Sequence, residues 1–133
     1  MNLETSSIDV GIITLLDNYF ELMHTQNMDL FDKVFHESSS LFGVPDGALN
    51  IRSAAVYKDA MLNRQSPAEK GEARRDDILF VDQLNDSLAV ARVQLEMMGG
   101  VMQDYLSLLK IDGHWIIIAK TWARVGDAKP SAL

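Results

Sequence analysis

The chain has 133 residues, enough to bury one real core but not two. Hydrophobic residues make up 47% of it and charged residues 23%; with a net charge of -7 and its 12 Lys and Arg scattered, it lacks the basic footprint of a nucleic-acid or anionic-membrane binder. No cysteine is present, which excludes disulfides, thiolate nucleophiles and Cys-containing zinc sites.

Met1–Ser7 is polar and acidic, without the basic start or apolar run of a secretory signal, and no apolar stretch approaches the roughly 18 residues of a membrane span. A cytoplasmic location is the expectation. Residues 1–7 are read as a disordered or frayed start, 8–125 as one domain and 126–133 as a flexible tail.

Ser6 and Asp9 have the spacing of a capping box, and Ile8, Ile12, Leu15, Tyr19, Leu22 and Met23 then recur at steps of three and four. This predicts a first helix to about Thr25. Gly11 in its first turns should cost about 1 kcal/mol relative to Ala. Asn27-Met28-Asp29 reads as a turn and cap, after which Leu30, Phe31, Val34 and Phe35 suit a short second helix. From His36 an extended pattern runs through Leu41, Phe42 and Val44 to the turn Pro45-Asp46-Gly47, with a second short strand through Leu49 and Ile51. Ser53 can cap a third helix whose face holds Val56, Tyr57, Ala60, Met61 and Arg64. Gln65–Arg74, with Pro67 and Gly71, reads as a mobile surface loop.

Ile78–Val81, Leu88–Met98, Val101–Ile111 and Trp115–Val125 alternate as strands, separated by Asn85-Asp86, Gly99-Gly100 and Asp112-Gly113. A four-stranded antiparallel meander follows. With two-residue turns at Gly99-Gly100 and Asp112-Gly113, one face carries Ala91, Val93, Leu95, Met97, Met102, Leu106, Leu108, Ile117 and Thr121. Asp104 is the single carboxyl on that face, placed between Leu95 and Thr121. Such a group needs donors, or keeps its proton because desolvation disfavours the anion, and both conditions suit a ligand pocket. The opposite face mixes Arg92, Gln94 and Gln103 with Tyr105, Ile116, Ile118, Lys120 and Trp122, which points to a homodimer packed through that sheet face.

Asn18-Tyr19-Phe20, Asn27-Met28-Asp29, Val34-Phe35-His36, Asp104-Tyr105-Leu106-Ser107-Leu108-Leu109-Lys110 and Asp112-Gly113-His114-Trp115 together resemble the nuclear transport factor 2-like superfamily. Within it the pattern is similar to small bacterial proteins described as "Putative lumazine-binding" and to SnoaL-type cyclases and ketosteroid isomerase. The resemblance implies an α+β fold: a cone-shaped barrel of curved antiparallel sheet with three helices enclosing a pocket, usually in a homodimer. In ketosteroid isomerase a Tyr and a protonated Asp form an oxyanion hole and a second Asp is the base. By motif position Tyr19 and Asp104 correspond to the oxyanion pair, while the base position falls near Gly43, where no carboxylate exists.

The expected ligand-binding residues are Tyr19, Tyr57, Met61, Leu95, Met97, Met102, Asp104 and Thr121, around a small hydrophobic or aromatic organic molecule. The alternative is an isomerase, dehydratase or cyclase in which Tyr19 and Asp104 stabilise an enolate and His36 is the base. Catalysis by Tyr19, Asp104 and His36 is thus the second reading, and binding the first. His24, His36 and His114 lack metal-ligand spacing and Gly99-Gly100 precedes no helix, so neither metal nor cofactor is expected.

Overall fold

The computed structural model describes residues 8–130. Helix α1 (Val10–Thr25) begins after Asp9, whose carboxylate accepts from the Gly11 N–H at 2.9 Å. Ser6, the other half of the expected capping box, lies outside the described residues. Ile12, Leu15, Leu16, Tyr19, Phe20, Leu22 and Met23 form its buried face, at the spacing of one side of a helix. Gly11 is where α1 meets the last strand: a Cβ there would stand 3.0 Å from Trp115 Cδ1, and the Trp115 indole donates to Asp9 Oδ2 at 3.0 Å. Close approach outweighs helix propensity at this position.

A 3-10 turn at Met28–Leu30, capped by the Asn27 side chain, leads into the single-turn helix α2 (Phe31–Val34) and directly into β1 (Phe35–Gly43). Strand β2 (Asn50–Ser53) ends on Ser53, whose hydroxyl accepts from the Val56 N–H and caps α3 (Ala54–Leu62). The segment expected to be a mobile loop is tied down at its start. Ser66 and Pro67 are buried, and the Ala68 N–H donates to the His24 carbonyl at 3.0 Å. Then come β3 (Asp76–Gln83), β4 (Leu88–Met97), β5 (Gly100–Ile111) and β6 (His114–Asp127), the last running past the strand end expected at Val125.

The six strands form one sheet in the order β2-β1-β6-β5-β4-β3, antiparallel everywhere except the parallel β1–β6 pair. Strands β2 and β3 are its two edges, so the curved sheet is an open cone and not a closed barrel. The three helices cover the concave face, and the core lies between them. Among the described residues no helix is long and apolar enough to cross a membrane.

Two register details differ from the sequence reading, with opposite consequences. The β4–β5 turn sits on Met98 (φ 53°) and Gly99 (φ 77°), with Met97 opposite Gly100. Positive φ at both central residues is the twist-matched two-residue turn, and the Gly supplies one of them at no steric cost. Moving the turn back by one residue slides the register by two, so every side chain keeps its face and only the neighbours change. Asp104 faces Val93, not Leu95. The β5–β6 turn on Asp112 and Gly113 is where the spacing predicts it, but a bulge follows: Leu108 pairs with Ile117 and Ser107 with Ala119, leaving Ile118 as an extra residue in β6. Beyond it the faces exchange. Lys120 and Trp122, expected on the outer face, pair with Leu106 and Asp104 on the concave side, while Thr121 pairs with Tyr105 on the outer side.

Candidate functional site

A cavity of about 860 Å³ lies between the sheet and helices α1 and α3, which contribute Met23 and Tyr57 to it. That volume suits a small organic ligand. Its inner end is formed by Met23, Tyr57, Leu95, Asp104 and Lys120, and its walls by Leu41, Arg52, Arg64, Met97, Met102 and Trp122. The exposed residues Val44, Pro45, Asp46, Leu49, Met98 and Arg124 make the rim.

The polar centre of this mostly apolar space is Asp104, 1% exposed on β5. Its Oδ2 accepts from the Tyr19 hydroxyl at 2.5 Å and lies 3.9 Å from Lys120 Nζ. The carboxylate is therefore matched by a donor from α1 and a cation from β6, the paired condition that lets a charge persist at depth. Burial, then the Asp104 charge beside it, holds the Tyr19 phenol well above the usual tyrosine range, so Tyr19 is a donor and not a phenolate. Lys120 also stands over two rings, 5.2 Å from the Tyr19 centroid and 5.3 Å from that of Tyr57, within reach of cation–π attraction. The Tyr57 hydroxyl donates to Met23 Sδ at 3.4 Å.

Of the residues read from sequence as ligand contacts, Tyr57, Leu95, Met97, Met102 and Asp104 line the cavity together. Thr121 contributes to the wall from a strand position whose side chain faces outward. Tyr19 and Met61 are fully buried and do not line the cavity; Tyr19 is joined to it through its bond to Asp104. His36 does not join them: it lies on β1 away from the cavity, and its Nδ1 accepts from the Ser38 N–H at 3.0 Å.

Gly43, where the resemblance puts a catalytic carboxylate, is filled by another residue. A Cβ on Gly43 would lie 2.4 Å from Trp122 Cε2, so the indole rests on the glycine backbone and occupies the volume any side chain would need. Sequence reasoning missed Trp122 and Lys120 as cavity residues because the bulge at Ile118 is invisible in the run Ile116-Ile117-Ile118-Ala119, apolar on both faces. It also missed Arg52, on β2 opposite Leu41.

A second polar assembly joins the ends of α1 and α3. Gln26, in the left-handed region at φ 56°, donates through Nε2 to the carbonyls of Met61 (3.0 Å) and Arg64 (3.1 Å) and accepts from Arg64 Nε at 2.7 Å. This fixes the Arg64 guanidinium 5.8 Å from the Tyr57 ring, with Nη2 buried and without a hydrogen-bond partner among the described residues.

Comparison with solved structures places the fold among NTF2-like proteins. A protein of unknown function from Shewanella baltica superposes with a TM-score of 0.80 at 21% identity over 95% of this chain and 100% of that one. Others of unknown function from Methylobacillus flagellatus (0.76, 24%, 94% and 97%) and Silicibacter pomeroyi (0.76, 19%, 92% and 100%) agree. No curated protein matches the chain. Residues 7–123 match the family described as "Putative lumazine-binding". With that match the chain belongs to the Putative lumazine-binding family, and its open cone of sheet over three helices is the NTF2-like fold.

Proposed function

We propose that the chain is a small-molecule-binding domain whose ligand, hydrophobic or aromatic in body, occupies the cavity above Asp104 and Lys120, and that it works as a homodimer. The observation that carries the first part is a charged, hydrogen-bonded group at the inner end of a mostly apolar space. A vacant core defect would be dry and unpolarised, whereas a recognition site needs a few convergent polar groups in an apolar wall. Catalysis by Tyr19, Asp104 and His36 is the weaker reading, since the Tyr19 hydroxyl is engaged in donating a hydrogen bond to Asp104 and His36 stands outside the cavity. Native mass spectrometry on freshly purified chain tests binding: a co-purifying small molecule is expected, and it should be lost from Met102→Trp, which narrows the cavity. A mass equal to the bare chain, with no adduct regained from a cell extract, would refute it.

The dimer face is the outer side of the sheet, with Tyr105, Ile116 and Ile118 as read from sequence, but with Phe42, Ile51 and Thr121 beside them instead of Lys120 and Trp122. Ile51 on β2 and Tyr105 on β5 are 59% and 55% exposed, and such apolar side chains spread across one sheet face are more than a solvated sheet needs. A second copy of the same face is self-complementary and buries it symmetrically. Light scattering should give twice the chain mass, and Tyr105→Glu should give the monomer; a monomeric parent chain contradicts this part alone.

A further inference from the structure

We infer that the ligand of this cavity is an organic anion: a flat apolar body carrying one acidic group, bound with that group toward Lys120. This rests on the reading of the cavity as a ligand site and adds the sign of the charge.

The chain is acidic overall, with a net charge of -7, yet its cavity is lined by four cations, Arg52, Arg64, Lys120 and Arg124, against two carboxylates, Asp46 and Asp104. Two of the six are accounted for at the rim. Arg124 is bonded to Asp127 Oδ1 at 2.6 Å and to the Gly99 carbonyl, and Asp46 is exposed to water. The inner cations are different. Arg52 has neither an ion pair nor a hydrogen bond among the described residues. Arg64 is held by an uncharged amide, and its buried Nη2 has no acceptor among the described residues.

Lys120 is the most exacting of them. Its side chain is 6% exposed, and its one acidic neighbour, at 3.9 Å, is beyond hydrogen-bond reach and already accepts the Tyr19 hydroxyl on the same oxygen. Among the described residues it makes no hydrogen bond. An ammonium has three N–H donors, and the Tyr19 and Tyr57 rings beneath Lys120 offer it π faces but no lone-pair acceptor, so a buried one bordering a cavity is completed by an acceptor inside that cavity. An anionic acceptor gives a charge-assisted bond, and two further guanidinium groups then lie on the same wall without carboxylates of their own. A neutral ligand leaves that excess unmatched, and a cation is repelled by it.

The body of the ligand follows from the apolar wall. The Trp122 indole is set against Gly43, and Met23, Met97 and Met102 bring adaptable thioethers around the same space. A planar ring system fits between an indole and thioethers better than a branched aliphatic one. The acidic exterior meanwhile disfavours anionic polymers, so selection is for a small anion able to enter the mouth.

Two probes of the same shape separate charge from apolar fit: anilinonaphthalene sulfonate and its uncharged counterpart N-phenylnaphthylamine, titrated by fluorescence against the full chain. The sulfonate should bind more tightly, and Lys120→Met should weaken it by about 10- to 100-fold, the equivalent of one lost bond to a charged group, while changing the neutral probe by less than about threefold. Lys33→Gln, which removes an exposed charge on α2, should change neither. Should Lys120→Met fail to fold, as judged by circular dichroism and thermal unfolding, Arg52→Gln is expected to weaken the sulfonate selectively as well. Equal affinity for both probes, or equal losses in the variants, overturns the anion assignment and leaves the cavity a ligand site. Binding of neither overturns both.

Discussion

Replacing Asp104 by alanine removes the group around which the inner end of the cavity is built, and its cost can be worked out from the contacts. The Tyr19 hydroxyl, 0% exposed, loses its acceptor, which costs about 1–3 kcal/mol for a buried donor left unsatisfied. Lys120 loses an opposite charge at 3.9 Å, about 4 kcal/mol at an effective dielectric constant near 20. Water entering the cavity recovers part of the second term, so the total should be about 3–5 kcal/mol, the usual penalty for breaking a buried pair from one side. Asp104→Asn keeps an acceptor for Tyr19 and should cost less. Asp104→Ala combined with Lys120→Met should cost about 1–3 kcal/mol less than the sum of the single changes, because the second removes the charge the first strands. Urea unfolding followed by circular dichroism measures the parent and the four variants. Additive single effects, or an Asp104→Ala loss below about 1 kcal/mol, would mean that Asp104 and Lys120 are solvated separately and that the cluster is not a unit.

Gly43→Ala should destabilise by about 1–3 kcal/mol and change Trp122 fluorescence, since its Cβ would overlap the indole that now rests on the glycine backbone; an unperturbed spectrum would place the indole elsewhere. Tyr19 ionises less readily folded than unfolded, so the stability it contributes is complete below the unfolded value near 10 and is lost as pH rises beyond it. Ultraviolet titration should accordingly show a tyrosine that resists ionisation until the chain unfolds, absent in Tyr19→Phe. Asp9 behaves in the opposite sense: bonds from the Trp115 indole, the Gly11 N–H and Lys110 hold its carboxyl below the usual range. Its contribution is present above the unfolded value near 4 and lost as pH falls through the folded one, so Asp9→Asn should flatten the acid limb of a stability–pH curve. An unchanged limb would remove Asp9 from that role.

The helices and strands were legible because their signals are local. The spacing of Ile12, Leu15, Tyr19 and Leu22, the cap at Ser53 and the turn at Asp112-Gly113 each specify their own geometry. Asp104 was legible as the odd group on an apolar face, and an even register error at Met98-Gly99 did not disturb that. Its partners were not. One extra residue at Ile118 exchanges the faces of β6, and a strand apolar on both sides carries no mark of where the exchange occurs. Lys120 and Trp122 thus looked like surface residues and a dimer face, when they are the cation and the aromatic wall of the cavity. Arg52 depends on the pairing of β2 with β1 across a connection whose register no local signal specifies.

The two tryptophans provide an internal control for the claim that this cavity is where a ligand sits. Trp122 lines it, whereas Trp115 is buried at the start of α1 with its indole bonded to Asp9. In a proton–nitrogen correlation spectrum of the labelled chain titrated with anilinonaphthalene sulfonate, the Trp122 indole resonance should move to saturation while that of Trp115 stays in place. A probe that binds and leaves Trp122 unmoved would contradict the site.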